Sequence, residues 1–135
     1  MFHIDHYAIS VKDLNASMEF YQALEFGVIK KYQAEDGSLS IVHMKNEDFI
    51  LELFAYKNCK DIPETSRSLT EDLPIAGSKH FGLYVKDLKE AADYLLEKKL
   101  IEKEPEIKTG RLGRSYFFIS DPNGILVEII EGEGR

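Results

Sequence analysis

Apolar and polar positions change period several times along the chain, and each change marks an element. Phe2 to Val11 alternates and is partly β-branched, which predicts a strand. Asp13 is a helix cap candidate, and Leu14, Ser17, Met18, Tyr21 and Leu24 then recur at helical spacing. Phe26 to Tyr32 reads as a second strand, and Glu35-Asp36-Gly37-Ser38 as a turn. Ser38 to Met44 and Asp48 to Ala55 read as a hairpin around Lys45-Asn46-Glu47. The order so far is β-α-β-β-β. Lys57 to Gly77 holds Pro63, Pro74 and many Ser, Thr and Asp residues, and reads as a connector. A loop that long without structure is unusual, so Thr65 to Leu73 is expected either to form a short helix or to drape over a site.

The same order then recurs. Ser78 to Val85 predicts a strand. Asp87 with Glu90 opens a helix whose face is Leu88, Ala91, Ala92, Leu95 and Leu96. Glu102 to Ile107 predicts a short strand and Arg114 to Ser120 a stronger one. Asp121-Pro122-Asn123-Gly124 is a turn, with Pro presetting one dihedral and Gly tolerating a positive one. Ile125 to Ile130 is the last strand, and Glu131 to Arg135 is expected to be a frayed tail.

The recurrence extends to residue identities. HYAISVKDLNASMEFY from His6 and HFGLYVKDLKEAADYL from His80 match at His, Val, Lys, Asp and Leu, with the two histidines 74 residues apart. Each half later reaches an apolar strand with one carboxylate: ILELF with Glu52, and LVEII with Glu128. The separation from His to Glu is 46 residues in the first half and 48 in the second. A chain of 135 residues is too short for two independent cores of ordinary size, so the repeat implies half-domains of one domain spanning 1–135. Module one covers about 1–56, the connector about 57–77 and module two about 78–131.

Composition narrows the function classes. A hydrophobic content of 44% with 30% charged residues is that of a soluble globular protein. A net charge of −7 without a basic block argues against nucleic acid as a partner. No apolar run approaches the ~18 residues that would span a membrane, and the N-terminus lacks the shape of a signal peptide. The single cysteine, Cys59, has no internal partner for a disulfide, and the natural reading is a cytoplasmic protein.

Strand parity places Tyr7, Ile9 and Val11 on one face and His6, Ala8 and Ser10 on the other; Phe81, Leu83 and Val85 oppose His80, Gly82 and Tyr84. The large apolar set should pack on the following helix. The opposite face then carries a His beside a small residue. Glu52 shares its face with Ile50 and Phe54, and Glu128 with Leu126 and Ile130, where an ionised carboxylate is costly unless paired or bound to a cation. A lone strand His is usually a hydrogen-bonded structural residue, and a lone Glu can point to solvent from an edge. Their joint recurrence makes His6, Glu52, His80 and Glu128 a candidate metal or acid–base site. His3 and His43 have no repeat partners and read as structural.

The segments DHYAISVKDLNASMEFY, FILELF, KHFGLYVKDL and SDPNGILVEIIE resemble the glyoxalase/bleomycin-resistance/dioxygenase superfamily, the vicinal-oxygen-chelate proteins, over nearly the whole chain. The resemblance implies an α+β fold of two tandem βαβββ modules. Their mixed sheets would form an open cup around a divalent metal, with the helices outside. In the glyoxalase I branch the ligands sit at positions that match His6, Glu52, His80 and Glu128. That complete set resembles bacterial glyoxalase I most, and implies a lyase or isomerase in which the metal chelates adjacent substrate oxygens and a proton is transferred. Glu128 is then the favoured base and Glu52 the alternative.

Two imidazoles and two carboxylates leave two octahedral positions open and suit Ni, Zn, Co, Mn or Fe. The sheet edges and the family's habit of pairing modules across chains imply a homodimer acting on a small-molecule substrate. Ser10 stands where glyoxalase I commonly has an Arg, and LPIAGSK replaces its tyrosine- and glycine-rich lead-in to the third ligand, so the resemblance does not carry glutathione over. Arg111 and Arg114 are candidates for holding a substrate anion, against the plainer reading as solvated arginines. The alternatives are a non-catalytic small-ligand-binding or resistance protein, a thiol transferase acting on an antibiotic, and an epimerase of the same superfamily, whose members usually have Gln at the position of Glu52.

Overall fold

The changes of period translate into two βαβββ units in a computed structural model that describes residues 1–132. One unit runs from Met1 to Asp61 and the other from Ile62 onward, so most of the connector groups with the second. The first contains β1 (His6–Ser10), α1 (Leu14–Ala23), β2 (Gly27–Gln33), β3 (Leu39–Asn46) and β4 (Phe49–Tyr56). The second contains a 3-10 turn (Glu64–Arg67), α2 (Leu69–Asp72), β5 (Phe81–Val85), α3 (Leu88–Glu97), β6 (Lys108–Thr109), β7 (Ser115–Ser120) and β8 (Leu126–Glu131).

Each unit has an open four-stranded mixed sheet. The orders are β1-β4-β3-β2 and β5-β8-β7-β6, with β1 parallel to β4 and β5 parallel to β8. The parallel pairing follows from the topology: the first strand of each unit pairs with the last, and a helix and two strands intervene. The registers repeat as well. Ala8 lies beside Glu52 and Glu52 beside His43; Gly82 lies beside Glu128 and Glu128 beside Phe118.

Alternation fixes which face each strand buries. Ile9, Val11, Leu51 and Leu53 are buried in the first unit with Phe20 and Tyr21 of α1. Phe81, Val127 and Ile129 are buried in the second, with Leu88, Ala92 and Leu95 of α3. The Val, Leu, Ile and Phe side chains among them contribute ~1.5–3 kcal/mol each on full burial. The helix starts are those the sequence marks: Asp13 Oδ1 accepts the Ala16 N–H at 3.0 Å, and Asp87 Oδ1 accepts the Glu90 N–H at 3.0 Å. Caps of this kind are worth ~1 kcal/mol.

Several expected boundaries move. The first strand begins at His6, and residues 1–5 precede it, with Met1, Phe2 and Ile4 exposed. His80 lies just ahead of β5 instead of inside a strand from Ser78, because pairing with β8 begins at Phe81. The expected strand Glu102–Ile107 is absent, and the edge is the two-residue β6. Glu131 does not fray: it pairs with Val85, and the Gly132 N–H donates to the Val85 carbonyl at 3.0 Å. The rest of that expected tail, 133–135, lies outside the described residues.

The connector is structured, though not as one helix. The Ser68 hydroxyl caps α2 by accepting the Glu71 N–H. Lys79 Nζ donates to the Asp72 carbonyl at 2.8 Å and pairs with its carboxylate at 3.3 Å, clasping α2 to the lead-in of β5. The Arg67 guanidinium lies over the β7–β8 turn, where a Cβ on Gly124 (φ +88°) would stand 2.5 Å from it. Asp121 organises that turn through its Oδ1, which accepts the N–H groups of Asn123 and Ile125.

Candidate functional site

The half-exposed faces of the two sheets carry the chemistry. In the first unit His6 starts β1, and its Nε2 approaches Glu52 Oε1 of β4 at 3.5 Å. In the second, His80 Nε2 approaches Glu128 Oε2 of β8 at 3.3 Å. Each sequence-predicted histidine therefore meets the glutamate of its own half. The glutamate side chains are only 16% and 20% exposed, so their charges are largely removed from water and call for a partner. The small residues beside them permit this. A Cβ at Gly82 would meet Glu128 Oε2 at 3.5 Å, an ordinary contact, and Ala8 occupies the equivalent place in the first unit.

The two imidazoles are held differently. His6 Nδ1 lies 2.7 Å from Asp5 Oδ2. An ionised Asp5 can only accept, so Nδ1–H donates to it, and in the neutral ring the lone pair is then on Nε2, on the Glu52 side. The Asp5 hydrogen bond raises the His6 pKa above the ordinary imidazole value; burial opposes the rise, and the charges of Glu52 and Asp5 add to it. His80 Nδ1, by contrast, is buried without a hydrogen-bond partner, and the ring meets Phe118 edge-on with centroids 4.8 Å apart.

His43, read from the sequence as structural, has a partner that the sequence reading did not name. His43 faces Glu52 across β3 and β4, and its Nε2 lies 2.5 Å from Glu52 Oε2. Its ring stacks on that of His6, with centroids 6.2 Å apart and planes 25° from parallel. The repeat gives no signal for His43, because Phe118 stands at the matching position of the second unit. The signal available was cross-strand: in a hairpin with a two-residue turn, register puts position 43 opposite 52. His3 lies on the exposed N-terminal segment. Asp5 was not singled out by the pattern either.

Arg111 is exposed in the turn before β7. Arg114 Nε donates to the Glu131 carbonyl at 3.0 Å and so ties the end of β8.

Each His–Glu pair offers one nitrogen and one oxygen donor. Among the described residues no group of three or more His, Cys, Asp or Glu side chains is spaced to hold a metal ion. The chemistry of each pair nonetheless fits a divalent cation. His6 has its second nitrogen occupied by a carboxylate, the arrangement that leaves Nε2 as a ligand. His80 turns Nε2 toward Glu128, while its buried Nδ1 lacks the outer partner that His6 has in Asp5.

The duplicated βαβββ fold defines a class, and sequence comparison agrees. The chain matches the Glyoxalase/Bleomycin resistance protein/Dioxygenase superfamily over residues 3–129 and belongs to it. Among curated relatives, the uncharacterized protein YwbC of Bacillus subtilis (strain 168) is 33% identical, over 95% of this chain and 96% of its own. Among solved structures, a glyoxalase family protein from Enterococcus faecalis superposes with a TM-score of 0.78 at 24% identity, covering 96% of this chain and 97% of that one. The same fold is shared with the trypanothione-dependent glyoxalase I of Leishmania major (TM-score 0.67, 20% identity, 97% and 87% covered). It is shared too with a bleomycin-binding protein complexed with bleomycin (TM-score 0.64, 20% identity, 98% and 100% covered). No helix of the described residues is long and apolar enough to cross a membrane.

Proposed function

We propose that this protein is a metal-dependent, glyoxalase-like lyase or isomerase of the cytoplasm, working as a homodimer on a small molecule with two adjacent oxygens. The observation that carries the reading is the repetition of one His–Glu pair at equivalent registers of both sheets, in a superfamily whose members typically bind a divalent metal. His6, Glu52, His80 and Glu128 would hold one divalent cation of the Ni, Zn, Co, Mn or Fe type. A bound cation would supply Lewis-acid stabilisation of negative charge on the substrate oxygens.

The side chains supply the rest. His6, with Nδ1 on Asp5, presents Nε2 in the orientation and tautomer a ligand needs. Glu128 takes a proton from one substrate carbon and returns it to the neighbouring one, so the reaction is an isomerisation with no net change in protons. Glu52, already hydrogen-bonded to His43, is less suited to that shuttling and serves as a fixed ligand. Arg111 is a candidate for holding a substrate anion; Arg114 has a structural duty at the end of β8 beside any such role.

The test is a panel of hemithioacetals, acyl-CoA epimers, and fosfomycin with a thiol, assayed before and after chelation, with sedimentation run in parallel. The reading expects a dimer whose turnover disappears on chelation and returns with one divalent metal. Turnover that survives complete metal removal contradicts it. Tight ligand binding without turnover or metal identifies the non-catalytic alternative.

A further inference from the structure

We infer that His43 is a positioning residue that fixes the Glu52 carboxylate as a held metal ligand, a duty that has no counterpart in the second βαβββ unit. The inference rests on the metal reading above and goes beyond it, because His43 lies outside the duplicated set.

The geometry carries it. Glu52 has two oxygens with separate engagements: Oε2 lies 2.5 Å from His43 Nε2, and Oε1 faces His6 Nε2 at 3.5 Å. With the carboxylate ionised, the His43 N–H donates to Oε2, which fixes the rotamer and turns Oε1 toward His6. The His43 and His6 rings flank the same carboxylate, with centroids 6.2 Å apart. In the second unit the position opposite Glu128 is Phe118, which cannot donate a hydrogen bond. Phe118 instead packs edge-on against His80. The first unit thus gives its carboxylate a donor from across the hairpin, and the second places an aromatic ring there. A pinned carboxylate is a steady ligand, whereas one without such a bond is freer to leave a cation and carry a proton.

The experiment uses Co2+ as the probe on the full-length protein. His43→Phe copies the second unit at the equivalent place with little change in volume, and His43→Gln keeps an N–H donor. Circular dichroism and thermal melting of the metal-free forms establish folding. The expected result is a folded H43F that binds Co2+ ~10–100-fold more weakly, the scale for losing an outer partner of a ligand, with altered visible absorption bands. H43Q should recover most of the affinity and the wild-type bands. Glu52→Gln added to H43F should cost less than the product of the two single losses, since both act through one carboxylate.

Wild-type affinity and spectrum in H43F overturn the inference while leaving the metal reading standing. So do fully multiplicative losses in the double variant. A third imidazole in the Co2+ shell by X-ray absorption overturns positioning in favour of direct ligation. A wild-type protein that binds no Co2+ removes the metal reading and this inference together.

Discussion

The two βαβββ units agree in topology, register and the His–Glu pair, and differ at the position opposite the glutamate. In the first unit that position is His43, hydrogen-bonded to Glu52; in the second it is Phe118, packed on His80. A second difference is matched to it. The His6 ring has Asp5 on its outer nitrogen, while the outer nitrogen of His80 is buried without a partner. Duplication preserved what the fold and the ligand chemistry require. The supports around the pairs differ, and the proposed division of labour follows that difference: Glu52 is hydrogen-bonded by His43, and Phe118 opposite Glu128 offers no such donor.

That division predicts unequal consequences for equivalent substitutions. Glu128→Gln keeps an oxygen ligand and the size of the side chain while removing basicity. It should retain measurable metal yet lose turnover by ~10²-fold or more, the usual scale for removing a general base. Glu52→Gln should cost much less, since an amide oxygen can still ligate and can still accept from His43. The comparison is read by kcat and metal content on an active member of the substrate panel. Normal turnover in metal-loaded Glu128→Gln would reverse the assignment to Glu52 or remove proton transfer from the chemistry.

A smaller effect sharpens the contrast between the imidazoles. Asp5→Asn should lower the His6 pKa toward the ordinary value, followed by NMR titration of the metal-free protein. The sign follows from linkage. A pKa raised in the folded state means that the Asp5–His6 contact favours the fold below the ordinary imidazole value. That contribution fades as pH rises through the raised one. Metal binding needs the neutral ring, so wild-type affinity should fall as pH drops through the raised His6 value. An unchanged His6 titration in Asp5→Asn would show that Asp5 does not hold the ring.

Most of the architecture was legible in the sequence because alternation and helical spacing are local signals that both units obey. Asp13 and Asp87 mark their helices, and Glu52 and Glu128 fall on the faces that parity assigns. The misses share one cause: their determinants are not local. Strand pairing decides that β5 starts at Phe81 and that β6 shrinks to two residues. Tertiary contacts with Asp72 and the Gly124 turn order the connector. The His43–Glu52 contact was not foreseen because the partner lies nine positions away across a hairpin, a separation that neither strand period nor internal repeat reports. Asp5 lies in the segment ahead of β1 and has no matching residue in the second unit, where Lys79 precedes His80.

Metal stoichiometry tests the proposed holding of one cation by the two His–Glu pairs. Protein loaded with a divalent metal, dialysed and assayed by elemental analysis should carry one ion per chain in the wild type. The folded His6→Ala/His80→Ala double variant should carry essentially none, and His80→Ala alone should bind at least ~10-fold more weakly than wild type. Equal metal retention in the wild type and the double variant would show that His6 and His80 do not hold the ion.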